Sequence, residues 1–274
     1  MEKYSVKEVG SKYSSNYMVY VVKEHDIISP LHDIPLYFNK HSGIITVVNE
    51  IPRFENGKFE ISLKKAMNPI IHDSKNEIPR FVPNIFPAKG YPWNYGALPQ
   101  TWEDPNKKDP IAGEFGDNDP LDVIEIGNRR KYIGEVYTAK VLGCLGMLDG
   151  GECDWKIVVI DTEDPIANHV DDINDVDIKF PELLKFSHKW FRDYKIPEGK
   201  PENKFLYDGK FMNKELAFKV IRECHENWKS LISQNIGEGI NKMTKNECGL
   251  KVKDLGMKES DTKPPHSVWE YSYI

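Results

Sequence analysis

At 274 residues the chain can bury a substantial core as one large domain or two small ones. Its net charge of −6 argues against a binder of nucleic acid or anionic membrane, and no apolar run approaches a membrane span, so a soluble protein is expected. The cysteines at 144, 153, 224 and 248 lack C-x-x-C spacing, no Asn-x-Ser/Thr acceptor occurs, and residues 1–9 carry acids without an apolar core, so a cytoplasmic setting fits best.

In chain order, residues 17–22 form the first apolar run and are expected to be a strand. His32 stands alone and reads as a structural histidine. A second strand is expected over 44–48, and Asn56-Gly57 then reads as a hairpin turn between two extended runs. Lys58 and Glu60 alternate with Phe59 and Ile61, which places both charges on one strand face and the apolar pair toward the core. Residues 68–105, rich in proline, aromatics and turn formers, predict ordered irregular loops that contain Arg80, Tyr91 and Tyr95. Further strands are expected over 134–142 and 155–160.

Beyond residue 161 the period becomes helical. Leu183, Leu184, Phe186, Trp190 and Phe191 stripe a helix over 181–194, with Pro181 in its first turn. Asn213 is suited to cap a second helix reaching about residue 232, with Leu216, Val220, Ile221, Cys224, Trp228 and Leu231 on one face. Both stripes read as core faces. Residues 237–266 turn polar and read as flexible, while the aromatic end, 268–274, is expected to dock. The organisation expected is a single domain over 1–236 with a C-terminal tail over 237–274.

The chemistry concentrates in Gly116-Asp117-Asn118-Asp119-Pro120-Leu121-Asp122, where three aspartates fall at i, i+2 and i+5 ahead of an apolar run. Carboxylates this close repel one another unless a hard cation holds them through oxygen. Pro120 bars a helix interior and predicts a stiff turn into a strand. An EF-hand is excluded, because Asp122 stands where the loop needs glycine and Asn128 where it needs glutamate. A solvated acidic turn is the plain alternative. A second acidic knot, Asp149 to Asp154-Trp155-Lys156, also leads into an apolar run and favours a multi-metal site. Together with Lys58, Arg80, Lys156, Lys195 and several tyrosines, these carboxylates suit a ligand rich in negative oxygens, provided Mg²⁺ reverses the local sign. Paired ions also acidify a water, so the residues alone lead to metal-assisted phosphate hydrolysis.

The ordered set Glu50-Ile-Pro-Arg, Lys58-x-Glu60, Gly90-Tyr-x-x-Asn-Tyr-Gly96, Pro99-Gln-Thr-Trp-Glu-Asp-Pro105, Gly116-Asp-Asn-Asp-Pro-x-Asp122, Asp149 with Asp154-Trp-Lys156, and Tyr194-Lys-Ile-Pro-x-Gly-Lys-Pro-Glu-Asn203 resembles family I soluble inorganic pyrophosphatases of the eukaryotic type. The resemblance implies a mainly β fold with added α, a five-stranded OB-like closed barrel with extra hairpins and C-terminal helices. It also implies a Mg²⁺-dependent enzyme with several ions per site, usually a homodimer, that splits pyrophosphate into two orthophosphates. Position by position, it implies metal ligands at Asp117, Asp122, Asp154, Asp149 and Glu60, with Glu50 acting through a metal-bound water. Asp119 matches the proton acceptor, with the Tyr95 hydroxyl beside it. Arg80, Lys58, Tyr194 and Lys195 match the phosphate-holding groups, and Lys156 and Tyr91 line the cavity. The chain departs from the family at Gly150, Cys153 and Phe54, none of which removes an implied ligand.

Two rivals remain on sequence grounds. An OB-fold binding module would need a basic, aromatic groove, whereas this chain gathers acids. A Mg²⁺-dependent hydrolase of longer polyphosphates or nucleotides would use the same chemistry.

Overall fold

The structure is a computed structural model that describes residues 4–39 and 43–274. Its principal strands are β1 (Tyr4–Val9), β2 (Met18–Lys23), β3 (Ile44–Ile51), β4 (Phe59–Ile61), β5 (Ile70–His72), β6 (Asn94–Ala97), β7 (Asp122–Glu125), β8 (Val136–Asp149) and β9 (Glu152–Asp161). The longer helices follow: α1 (Ile173–Lys179), α2 (Leu183–Asp193) and α3 (Lys214–Ser233).

Pairing runs from β8 to β9, β7, β6 and β3 and then returns to β8, a closed circuit of five strands. This is the OB-like barrel that the resemblance implies. Strand β8 closes it because it is long enough to pair with β3 through residues 136–140 and with β9 through 139–149. Its register shifts between Val141 and Gly143, a bulge that bends the strand between its two partners. A Cβ at Gly143 would strike the Met212 carbonyl, so only glycine fits where that segment crosses. Strands β1, β2, β5 and β4 form a second sheet in that order.

The strand over 157–160 is apolar throughout because both of its faces are covered. Val158 and Ile160 join Ile124, Leu145 and the rings of Trp93, Trp190 and Phe191 in one core cluster. Ile157 and Val159 pack in a second with Val123 and the α3 residues Ala217, Val220, Ile221 and Cys224. Side chains alternate along a strand, so Asp122, Asp154 and Lys156 fall on the faces of the first cluster. That parity brings the polar motifs together.

Several local expectations need correction. Asn56-Gly57 is not a hairpin turn: β4 pairs with β5, and β3 pairs with β6 and β8. The Glu55 carboxylate accepts both amides, from Asn56 at 3.0 Å and Gly57 at 3.1 Å, while the buried Asn56 amide donates to Val82 and Asn84. These tertiary bonds override the local turn preference. Strand β1 precedes the first strand expected, and α2 begins beyond Pro181, after Glu182 in a left-handed conformation (φ 68°). The Asn213 cap is present, its side chain accepting from the Leu216 amide at 3.1 Å. His32 is structural, bonded to Trp228 Nε1 and the Asn241 carbonyl. No helix among the described residues is long and apolar enough to cross a membrane.

The polar segment beyond residue 236 lies along the domain. Met243, Cys248, Leu250, Val252 and Leu255 cover the buried Tyr20, Ile27 and Met67. Gly10 and Lys12 exchange backbone hydrogen bonds with Met257, Glu259 and Thr262. Near the end, Val268 is buried, and Tyr271–Ser272 pairs in parallel with Asn84–Ile85. A chain ending at Ile236 should therefore keep kcat within a few-fold, since no tail residue reaches the cavity described below, yet lose on the order of a few kcal/mol by exposing that apolar cluster. Thermal melting should show this as a drop of roughly 5–15 °C. A truncated chain that stays folded but has lost turnover would contradict the expectation.

Candidate active site

The acidic turn is held by the segment in front of it. Gly116 packs so closely on the Glu103 backbone that a side chain there would collide. The Asn118 amide donates to the Glu103 carbonyl and the Glu103 amide to the Asp119 carbonyl, both at 2.9 Å. Thr101 Oγ1 accepts from the Leu121 amide at 3.0 Å, and Trp102 Nε1 donates to the Asn118 side chain at 3.1 Å. The Asp119 amide donates to Asp117 Oδ1 at 2.9 Å, which fixes the turn internally. Pro120 follows, and the chain enters β7 at Asp122, as the sequence predicts.

Parallel pairing of β7 with β9 sets Asp122 opposite Lys156, two residues beyond Asp154. At the tip of the β8–β9 hairpin, Gly150 and Gly151 turn the chain at φ 64° and 100° and leave Asp149 at the rim. Tyr194 caps the C-terminus of α2, and its ring stacks on Trp190 with centroids 4.9 Å apart. Lys195 follows and pairs with Asp149.

These elements enclose a cavity of about 230 Å³. Its walls contain Glu50, Lys58, Glu60, Arg80, Tyr91, Tyr95, Asp117, Asp119, Asp122, Asp149, Asp154, Lys156, Tyr194 and Lys195, which are all of the residues singled out from the sequence. Glu198 and Lys200 line it as well, giving eight carboxylates against five basic groups. The excess of negative charge is what an oxyanion ligand alone could not tolerate and what divalent cations would offset.

The charges sort into two halves. On the acidic half, Lys156 donates to Asp122 and Asp154, and its Nζ lies 2.9 Å from the Tyr95 hydroxyl. The Tyr95 hydroxyl itself donates to Asp122. On the other half, Lys58 Nζ donates to Glu60 at 2.6 Å and to Asp73 at 3.0 Å, and Arg80 Nη1 donates to Asp73 at 2.7 Å. Glu50 lies at the floor, where its carboxylate accepts from the Ile61 amide at 2.7 Å.

Burial and crowding perturb the carboxylates strongly. Desolvation, then the charges of Asp154, Asp119 and Asp122, pushes the Asp117 carboxyl well above its usual range. Desolvation likewise raises Asp154 to about 7, although Lys156 pulls it down. Asp119 is exposed at the mouth yet ringed by protein atoms, and loss of solvent followed by Glu60 also lifts it to about 7. Burial alone would depress the ammonium of Lys156, but Asp122 and Asp154 outweigh it and hold the group charged.

Glu103 is the acidic residue that sequence reasoning passed over. One oxygen each from Glu103, Asp117 and Asp154 lie within 4.8 Å of one another, a set able to hold a metal ion. Glu103 is 4% exposed; its Oε1 accepts from the Trp155 amide at 3.2 Å, while its buried Oε2 has no partner. Three crowded acidic oxygens with one left unsatisfied fit a hard cation. Asp73, also missed, lies outside the cavity wall but joins Lys58 to Arg80. Cys153 is buried, and desolvation raises its thiol far from the reactive range, which agrees with a packed rather than a reactive cysteine.

Comparison with known proteins supplies the family. The inorganic pyrophosphatase family model matches residues 47–229. An inorganic pyrophosphatase of Encephalitozoon cuniculi is 49% identical over 276 residues and covers the full length of both chains. That of Kluyveromyces lactis is 52% identical over 230 residues, covering 84% of this chain and 80% of its own. Among solved structures, the inorganic pyrophosphatase of Schistosoma japonicum superposes with a TM-score of 0.93 at 40% identity, over 98% of this chain and 100% of its own. A Trypanosoma cruzi vacuolar soluble pyrophosphatase in complex with PPi has a TM-score of 0.78 at 40% identity, covering 86% and 93%. Sequence, fold and a cavity that gathers the motif residues agree, and the chain belongs to the inorganic pyrophosphatase family.

Proposed function

We propose that this protein hydrolyses inorganic pyrophosphate to two orthophosphates, with several Mg²⁺ ions in the cavity, by direct attack of water. The observation that carries the reading is a single cavity whose acidic half crowds Asp117, Asp122 and Asp154 while its other half presents Lys58 and Arg80. Mg²⁺, when bound, neutralises phosphoryl charge and makes a water more acidic.

Asp117, Asp122 and Asp154 are the carboxylates that would hold the central metals, with Glu103 behind them, and Asp149 and Glu60 would hold those that arrive with substrate. The Lys156 ammonium, bridging Asp122 and Asp154, marks the need for positive charge between them. Glu50, enclosed and facing Asp122, would act through water. Asp119 would take the proton from the attacking water. It is exposed at the cavity mouth, within reach of solvent, as a group that takes a proton from water must be. Tyr95 orients Asp122 through the hydrogen bond its hydroxyl donates. Arg80, Lys58, Tyr194 and Lys195 would hold the phosphates, since Arg80 keeps most of its fork free for phosphoryl oxygens. Tyr91 and Lys156 complete the wall.

The substrate is tested by phosphate release from pyrophosphate, tripolyphosphate and ATP at equal Mg²⁺. Pyrophosphate should be strongly preferred. Faster release from the longer chains would favour the rival polyphosphatase.

The partner in this reading is a second copy of the chain. Phe86, Trp269, Tyr271 and Tyr273 are exposed at 56%, 58%, 41% and 77%. Phe86 lies 5.3 Å from Tyr273 and 6.2 Å from Tyr271 between ring centroids, so these three rings form one patch, which suits a homodimer. Sedimentation should give a dimer for the full chain and a monomer for Phe86→Asp; a monomeric full chain would remove the proposal. The catalytic unit is residues 1–236, with 237–274 as an appended strap. All four cysteines are unpaired, which supports residence in the reducing cytoplasm.

A further inference from the structure

The cations of the phosphate-facing half share one acidic residue outside the cavity wall. Asp73 follows β5 and is tied by its backbone to both: its amide donates to the Lys58 carbonyl at 2.9 Å, and the Arg80 amide donates to its carbonyl at 2.8 Å. The Lys58 amide in turn donates to the Arg80 carbonyl at 3.0 Å. A single side-chain oxygen, Asp73 Oδ2, then accepts from Lys58 Nζ at 3.0 Å and from Arg80 Nη1 at 2.7 Å. Its side chain is 16% exposed, against 31% for Lys58 and 37% for Arg80, so the carboxylate sits beneath the two heads and does not line the cavity.

Two cationic heads sharing one partner atom would repel each other and sweep many rotamers without it. With it, each is fixed and still has donors to spare. Arg80 uses one N–H here, and the Lys58 ammonium has a third proton beyond those given to Glu60 and Asp73. We propose that Asp73 is a positioning residue that pre-sets Lys58 and Arg80 as a paired clamp for phosphoryl oxygens. The inference rests on the reading above that Lys58 and Arg80 hold substrate phosphate. Its physical content is preorganisation: the repulsion and ordering are met on folding rather than when the anion binds. Lys58 also touches Glu60, so the same clamp is coupled to the metal-facing half.

The test uses full-length Asp73→Asn, which keeps the shape and removes the charge, with Asp73→Glu as a second variant should the first fail to fold. Inorganic phosphate is titrated calorimetrically in Mg²⁺, Mg²⁺ alone is titrated without phosphate, and KM and kcat are measured for pyrophosphate. Asp73→Asn should raise the phosphate Kd and the pyrophosphate KM roughly tenfold, with a smaller fall in kcat. Mg²⁺ affinity without phosphate should stay unchanged. In an Arg80→Ala background the same substitution should lose at least half of its effect on a logarithmic scale, because it acts through Arg80. Asp73→Glu, charged but displaced, should fall between wild type and Asp73→Asn. An unchanged phosphate Kd in Asp73→Asn, or an equal effect with and without Arg80, would overturn the positioning role. If Arg80→Ala itself leaves phosphate binding and KM unaltered, the reading of Arg80 as a substrate group fails instead.

Discussion

In Asp119→Asn, kcat for pyrophosphate should fall roughly 10²–10⁴-fold while the Mg²⁺ concentration for half-maximal activity stays nearly the same. The carboxylate is exposed at the cavity mouth, so its loss would remove the proposed proton acceptor without opening the core. The pH profile should shift toward alkaline values, where hydroxide forms without help. Asp122→Asn should behave differently. Asp122 begins β7, accepts hydrogen bonds from Lys156 and Tyr95, and faces Asp154 across Lys156. Replacing its charged oxygen should weaken Mg²⁺ binding by at least roughly 10–100-fold, and added Mg²⁺ should recover part of the rate. Mg²⁺ titrations and pH–rate profiles of the two variants, run side by side, decide the matter. Identical Mg²⁺ dependence and identical pH optima would mean that both substitutions merely loosen one acidic turn.

The second large effect concerns stability. In the metal-free protein Asp154 and Asp119 are raised to about 7, and Asp117, Glu103 and Glu50 are raised too, burial being the first cause in each. In the unfolded chain such groups titrate near ~4. Between those values the folded protein holds protons that the unfolded chain has released, so the contribution of these five groups to metal-free stability is full below about pH 4 and is lost as pH rises through about 7. In the proposed reading Mg²⁺ would compete with those same protons. Melting curves should therefore show little Mg²⁺ stabilisation at pH 5 and a large one at pH 8. A hundredfold excess over Kd corresponds to about 2.7 kcal/mol, or roughly 5–10 °C in a chain of this size. An equal Mg²⁺ shift at both pH values would show that these carboxylates are not the ions' partners.

Much of the site can be read from the sequence because its chemistry is local. Asp117, Asp119 and Asp122 lie within one turn, Lys58 and Glu60 share one strand face, and Asp154 and Lys156 share another. Strand alternation then places the separate motifs on one wall. Glu103 and Asp73 are not legible in this way. Glu103 becomes a candidate ligand only when the Thr101–Asp104 stretch folds beneath the acidic turn, and Asp73 gains its role from contact with Arg80 seven residues on. The Asn56-Gly57 turn misleads for a related reason, since Glu55 takes both amides and the strands on either side find other partners. The segment beyond residue 236 misleads through composition. Its few apolar residues are spaced too widely to form a stripe, yet Leu250, Val252 and Leu255 meet Tyr20, Ile27 and Met67 across the fold.

Phosphate release from pyrophosphate, followed as Mg²⁺ is added to metal-stripped protein and then withdrawn by chelator, tests the central claim most directly. The cavity's eight carboxylates and five basic groups predict negligible turnover without metal, rapid turnover with it, and full reversal on chelation and readdition. Turnover by the stripped protein equal to that of the loaded one would contradict it.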